Sequence, residues 1–430
     1  MTALHELSLN GLASRLRDGT TTSTAIVEDC LARIEAREPV VGAWQHLDRE
    51  AALAQAARRD GVAPKSRLHG IPIGLKDIID TADMPTTYGS PIYAGHRPTE
   101  DAICVQRLRA AGAVILGKAV TTQFAHRTPG KTANPHNPAH TPGGSSSGSA
   151  AAVADKMVPL AFGTQTGGSV IRPAAYCGIV GFKPSYAWTD FTGVKQLSAS
   201  FDTLGYYVRS LDDLSIVHDI LGSQTLPGPG AGDETRPSFA LCRTPAWSQA
   251  EPAAQALLED VARRLSAAGA PVRDLDLPPP FARIYDAHTA LMQFEMARHL
   301  AREASESWDL LSPPTQSFIE AGRACPDEKA AQARFVLDGS RKDFARLLGD
   351  DVVVTLSAPG EAPKGLESTG EATFNRFWTS LYVPCLHLPV DTGPGGLPLG
   401  ITLAARIGHE ARVVSAGRWV AAKLELPLFG

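Results

Sequence analysis

Three short stretches of the 430-residue chain carry side chains that could do chemistry together. Lys76 stands in Leu68-His69-Gly70-Ile71-Pro72-Ile73-Gly74-Leu75-Lys76-Asp77, a segment that alternates apolar residues with Gly and Pro as a buried strand flanked by turns does. Gly143-Gly144-Ser145-Ser146-Ser147-Gly148-Ser149 is a serine-rich loop, and Thr166-Gly167-Gly168-Ser169 a second glycine-rich one. Each alone reads as ordinary structure: a strand-end charge, a turn, a bend. Together they make a chemical set. A lysine in an apolar setting is driven toward its neutral form and can act as a base. A serine hydroxyl both donates and accepts, so it can relay a proton between base and nucleophile. Successive glycines let the backbone N–H groups of Gly167, Gly168 and Ser169 converge on one point, as an oxyanion site requires.

Competing motifs fail on physical grounds. Gly112-Ala113-Val114-Ile115-Leu116-Gly117-Lys118 has phosphate-loop spacing, but its middle is a hydrophobic strand and Ala119 stands where a magnesium-holding hydroxyl is needed. Gly144-Ser145-Ser146-Ser147-Gly148 satisfies G-x-S-x-G with Ser146 as nucleophile, yet that elbow needs a strand running into it. Here Pro135, Pro138 and Pro142 precede it and exclude an interior strand. Pro138 also separates His136 from His140, which are read as loop histidines rather than a helical metal pair. No metal site and no cofactor are expected.

The elements that must position these loops follow an α/β pattern. Helices are expected from the Thr22-Ser23 cap through Ile34, over Asp48 to Arg59, and over Val105 to Ala111 ahead of a buried strand Ala113-Val114-Ile115-Leu116. Ala150 to Ala154 is a good helix former immediately after the serine loop. Gly222 to Pro237 reads as a Pro/Gly connection. Glu251 to Leu347 is mainly helical, interrupted at Pro278-Pro279-Pro280 and Pro313-Pro314, and Asp351–Leu356 and Gly400–Leu403 read as strands rejoining the sheet.

Bulk properties narrow the partners. With 43% hydrophobic residues the chain can bury a large core, and 41 Lys plus Arg against 45 Asp plus Glu lacks the basic excess of a nucleic-acid binder. A small or neutral substrate is expected. The scattered cysteines form no CxxC pair, and there is no apolar run of membrane-spanning or signal length, so a soluble, unprocessed, cytoplasmic protein with reduced thiols is expected, without a membrane partner. Composition leaves the oligomeric state open.

From about Ser8 to the end the sequence resembles the amidase-signature family of serine hydrolases. Pro142-Gly143-Gly144-Ser145-Ser146-Ser147-Gly148-Ser149-Ala150 is similar to its hallmark loop, with Ser147 where glycine is usual. Gly163 to Pro173 resembles its nucleophile segment, Gly178-Ile179-Val180-Gly181-Phe182-Lys183-Pro184 the continuation, and Phe374–Trp378 with Gly395–Gly400 its C-terminal signature. The resemblance implies Ser169 as nucleophile, Ser145 as relay serine after a cis peptide from Gly144, and Lys76 as base. It places Ser146 on the Lys76 amine and an oxyanion hole at the amides from Thr166 to Ser169. The implied fold is a single α/β domain, residues 1–430, with a twisted mixed sheet between helical layers. Its catalytic core spans about 65–210, and a variable, mainly helical substrate-side region about 240–348.

Two positions depart from the family pattern: Gln165 replaces the common Asp and Ile171 the common Arg, while Arg172 follows one position later. This segment looks malonamidase-like, and Arg172 either binds a substrate carboxylate or pairs with a protein carboxylate beneath the loop. Of the apolar residues from Phe281 to Leu300, most are expected in the core and the rest at the substrate pocket. The implied activity is that of a stand-alone amidase acting on amide-like C–N bonds, with ester, carbamate or urea substrates open. The alternatives are the A subunit of a tRNA-dependent amidotransferase and, from another class, a non-catalytic binding protein on the same scaffold.

Overall fold

The computed structural model describes residues 2–222, 226 and 236–429. The expected Pro/Gly connection of residues 222–237 falls largely outside the described residues. Eleven strands form one mixed sheet: β1 Trp44–Leu47, β2 Pro72–Lys76, β3 Val114–Ala119, β4 Leu160–Gln165, β5 Val180–Lys183, β6 Thr203–Val208, β7 Phe239–Leu241, β8 Val272–Asp274, β9 Val352–Leu356, β10 Cys385–Thr392 and β11 Pro398–Ala404. Their spatial order is β1-β3-β2-β4-β6-β5-β10-β11-β9-β7-β8. β2 runs parallel to both β3 and β4, whereas β4, β6, β5 and β10 alternate in direction.

The strands near the site are apolar on both faces because both faces are covered. Successive side chains of a strand point to opposite sides. Ile115 accordingly packs in one core cluster while Val114 and Leu116 pack in another, and on β4 Leu160 and Phe162 part from Ala161 in the same way. The second cluster contains Ala150–Val153 of the helix Ser147–Ala154, which packs on β2, β3, β4 and β6. The helix Ile171–Cys177 packs on β5, β10 and β11. The fold is therefore the single α/β domain that the sequence implied.

The remaining expectations hold with shifts of a few residues. The helix capped by Thr22 is Ser23–Val41, the Thr22 hydroxyl accepting the Ala25 N–H, and the next is Arg49–Asp60, capped by Asp48; a helix Leu9–Arg17 precedes both. The helix before β3 covers Ile103–Ala110. Pro313 opens the helix Pro313–Arg323, where a missing N–H costs nothing. The phosphate-loop lookalike is β3 itself, with Lys118 buried and bonded to the Ile79 carbonyl and, at 2.7 Å, to the Thr86 hydroxyl. All six cysteines are buried and unpaired. Among the described residues no helix is long and apolar enough to cross a membrane.

Close approach fixes one glycine beside the site. A Cβ on Gly148 would lie 2.2 Å from the Ala43 carbonyl oxygen and 2.4 Å from the Val120 nitrogen, both backbone atoms. Gly148→Ala therefore lowers stability by about 1–3 kcal/mol despite alanine's better helix propensity. Gly339→Ala, in a helix with open space around it, raises stability by about 0.4–1 kcal/mol. Chemical denaturation of the two variants, which should move in opposite directions, checks this.

Candidate active site

Parallel pairing of β2 with β4 brings their carboxyl ends to the same edge of the sheet, where open α/β sheets place their ligands. Lys76 is the last residue of β2 and is fully buried. Its Nζ lies 2.8 Å from Ser145 Oγ and 2.9 Å from Thr164 Oγ1. Burial pulls the ammonium down to about 7, against the pull of Asp202 in the opposite direction. Ser145, also fully buried, follows a cis Gly144–Ser145 peptide and precedes the helix Ser147–Ala154.

Ser146 is not on the lysine, contrary to expectation. Its Oγ accepts the Thr164 N–H and donates to the Thr164 carbonyl, both at 3.2 Å, so it clasps the backbone of β4. The side chain of that same threonine takes the place on Lys76 that the resemblance gave to Ser146. The approach is tight, since a Cβ on Gly163 would sit 2.6 Å from Ser146 Oγ.

Ser169 lies between β4 and the helix Ile171–Cys177, and its carbonyl accepts the Tyr207 hydroxyl at 3.1 Å. The loop before it is held by its carbonyls. Thr166 O is 2.9 Å from His288 Nε2, and Gly167 O accepts the Thr379 hydroxyl at 2.6 Å. The Thr166 hydroxyl donates to Asp202 at 2.5 Å, and Asp202 also accepts the Leu197 and Ser198 amides. Burial raises this carboxyl to about 6, opposed by those hydrogen bonds. With the carbonyls engaged, the N–H groups of Gly167, Gly168 and Ser169 donate to no protein acceptor among the described residues.

Gln165 explains its departure from the family pattern. Its Oε1 accepts the Val170 and Ile171 amides at 2.9 and 3.0 Å, capping the nucleophile-side helix as a carboxylate would, and its Nε2 donates to Thr379 Oγ1 at 2.9 Å. A neutral amide supplies acceptor and donor without burying a charge. Of the two roles expected of Arg172, pairing with a protein carboxylate is not seen among the described residues, and the side chain lines the cavity beside Ser169. It donates to the carbonyls of Gly144 at 2.6 Å and Gly370 at 2.9 Å and to the Thr369 hydroxyl at 3.1 Å, with no ion-pair partner among the described residues. It thus ties the helix bearing it to the serine loop and to a distant loop.

A cavity of about 330 Å³ opens on Ser169 and is also lined by Gly167, Gly168, Arg172, His126, His288 and Arg376, among others. His136 and His140 bond instead to the Cys177 and Ala362 carbonyls and do not line it. Of the apolar run in the helix Ile284–His299, Met292 lines the cavity while Ile284, Leu291, Phe294 and Met296 belong to the core. Sequence reasoning missed Thr164, Asp202, His288 and Thr379. Thr164 and His288 lay in segments already singled out, the second only for its apolar residues; Asp202 and Thr379 lay outside them.

A family model described as Amidase matches residues 25–414. The chain belongs to the amidase family. The A subunit of the glutamyl-tRNA(Gln) amidotransferase of Chloroflexus aggregans (strain MD-66 / DSM 9485) is 32% identical to it over 97% of this chain and 96% of its own length. A crystal structure described as an amidase superimposes with a TM-score of 0.89 at 29% identity, covering 97% of this chain and all of the other. The peptide amidase of Stenotrophomonas maltophilia gives 0.85 at 27% identity, covering 98% of this chain and 97% of its own.

A buried base titrating near 7 has a kinetic signature. The rate at which a fluorophosphonate labels the protein should rise with pH through about 7 and level off above it, because Lys76 must be neutral. Burial holds His126 and His288 near 3, outside this window. Thr164→Val removes one acceptor from the ammonium and should move the midpoint lower; His126→Asn should leave it in place. A midpoint that follows His126 instead would assign the base elsewhere.

Proposed function

We propose that this chain hydrolyses amide-like C–N bonds through an acyl-enzyme on Ser169. The 2.8 Å contact of buried Lys76 with Ser145 carries the reading. Neutral Lys76 accepts the Ser145 proton as Ser145 takes that of Ser169, whose oxygen attacks the carbonyl carbon. The resulting oxyanion is held by the amides of the Thr166–Ser169 loop. Collapse breaks the C–N bond while the relay returns the proton to the departing nitrogen, and water then releases the acyl group by the same route. Arg172 serves as a positioning residue for the serine loop. The steps use this chain's own side chains and backbone amides together with water, and none calls for a metal or cofactor. Among the described residues the side chains needed are all present, which speaks against a non-catalytic scaffold.

The mainly helical region, about 240–348, supplies part of the substrate wall through His288, Thr289 and Met292, and the core at about 65–210 supplies the triad. A small-molecule amide fits the cavity, and neither a nucleic acid nor a membrane surface is needed. The unpaired, buried cysteines suit the reducing cytoplasm. Likeness to an amidase along the whole chain supports a stand-alone enzyme. The similarity to the A component of an amidotransferase favours a second reading, in which the same acyl-enzyme chemistry delivers ammonia to partner proteins.

Ser169→Ala should abolish both fluorophosphonate labelling and turnover, whereas Ser146→Ala should keep substantial labelling because Ser146 braces β4 rather than reacting. Labelling that persists without Ser169 and vanishes without Ser146 would overturn the assignment. Ammonia release from simple amides by the purified chain alone supports the stand-alone enzyme; release from glutamine only on addition of the amidotransferase's B and C components supports the second reading.

A further inference from the structure

Three guanidinium groups that line the cavity beside Ser169, Arg127, Arg172 and Arg376, have no carboxylate partner among the described residues. Arg376, on the helix Thr373–Ser380, lies across the oxyanion loop so closely that a Cβ on Gly167 would be 3.2 Å from its Cγ. Its Nη1 donates to the Thr289 hydroxyl at 3.1 Å, and no carboxylate pairs with it among the described residues. Arg127 lines the same cavity and is likewise without an ion-pair partner there; its like charge acts on Arg376 more strongly than Glu371 or Asp286 does. The cavity's own carboxylates, Glu367 and Glu371, are exposed at the rim, where water screens them. His126 adds a buried imidazole with neither ring nitrogen bonded. Burial, then Arg127, keeps it neutral, so it offers one N–H donor and no charge of its own.

An arginine that is mostly withdrawn from water stays charged and is costly without a counter-charge. Arg172, by contrast, spends both terminal nitrogens on three protein acceptors in two loops, its Nε alone being left unbonded. We infer that Arg376, assisted by Arg127 and His126, binds a carboxylate carried by the substrate, so that the preferred substrates are amides bearing a second, anionic group. The planar fork of the guanidinium matches a carboxylate's two oxygens. This inference rests on the acyl-enzyme reading above, and its test separates the two.

The experiment measures how malonate, succinate and glutarate, against their neutral diamides, protect Ser169 from a neutral fluorophosphonate, with each variant referred to its own unprotected rate. At least one dicarboxylate should protect the wild-type protein about tenfold more effectively than its diamide, as a buried charged contact allows. That preference should vanish in Arg376→Gln and survive in part in Arg376→Lys, while Arg172→Lys should retain it. Failure of Ser169 to label at all would strike the acyl-enzyme reading. Normal labelling with no carboxylate preference, or a preference undiminished in Arg376→Gln, would overturn the anion site alone.

Discussion

Burial of the Lys76 amine against two hydroxyls, with no carboxylate in hydrogen-bond contact, is the constraint around which the site is arranged. A fall from the ordinary 10.5 to about 7 disfavours the ammonium by about 5 kcal/mol relative to water. The sign matters for stability: the unfolded chain keeps this proton up to the ordinary lysine value, while the native state gives it up near 7. The penalty on folding is therefore full below about 7, shrinks as pH rises and is gone above about 10.5. That cost is borne by the core, and it yields an amine able to accept a proton at neutral pH.

A base poised in this way is useful only if the loops facing it do not move, and the packing around the loops answers that need. Two strands with common direction bring Lys76 and Thr164 together, and Ser146 locks the serine loop to β4 through the backbone of the same Thr164. Gln165 reaches forward to cap the next helix and sideways to Thr379, which in turn fixes the Gly167 carbonyl. Arg172 closes the circuit by holding the carbonyl of the cis Gly144–Ser145 peptide. Neutral hydrogen bonds dominate this frame, so it adds few buried charges to the one the lysine must lose.

The parts legible in the sequence were those encoded locally. Glycine spacing marked the two loops, a Pro- and Gly-bounded apolar stretch marked β2, and prolines before the serine loop ruled out the hydrolase elbow. Short apolar runs located β3, β9 and β11 to within a few residues. What the sequence could not show is which distant side chain arrives where. Thr379 and Asp202 look like unremarkable polar residues until tertiary packing brings them onto Gly167 and Thr166. The family resemblance put Ser146 on the lysine; in the structure its hydroxyl turns to the β4 backbone instead. Arg172 drew attention by its neighbourhood in the chain, whereas Arg376, in a segment matched only as a signature, faces the cavity bonded to Thr289 and with no carboxylate partner among the described residues.

The state of Lys76 itself is the most direct test. Lysine labelled with 13C at Cε, with the Lys76 signal assigned by its loss in Lys76→Met, can be titrated by heteronuclear NMR in the unmodified protein. The account predicts a midpoint near 7, well separated from the surface lysines. A Lys76 signal that stays protonated up to the ordinary lysine range, near 10.5, would contradict it, because a permanently charged ammonium cannot draw a proton through Ser145.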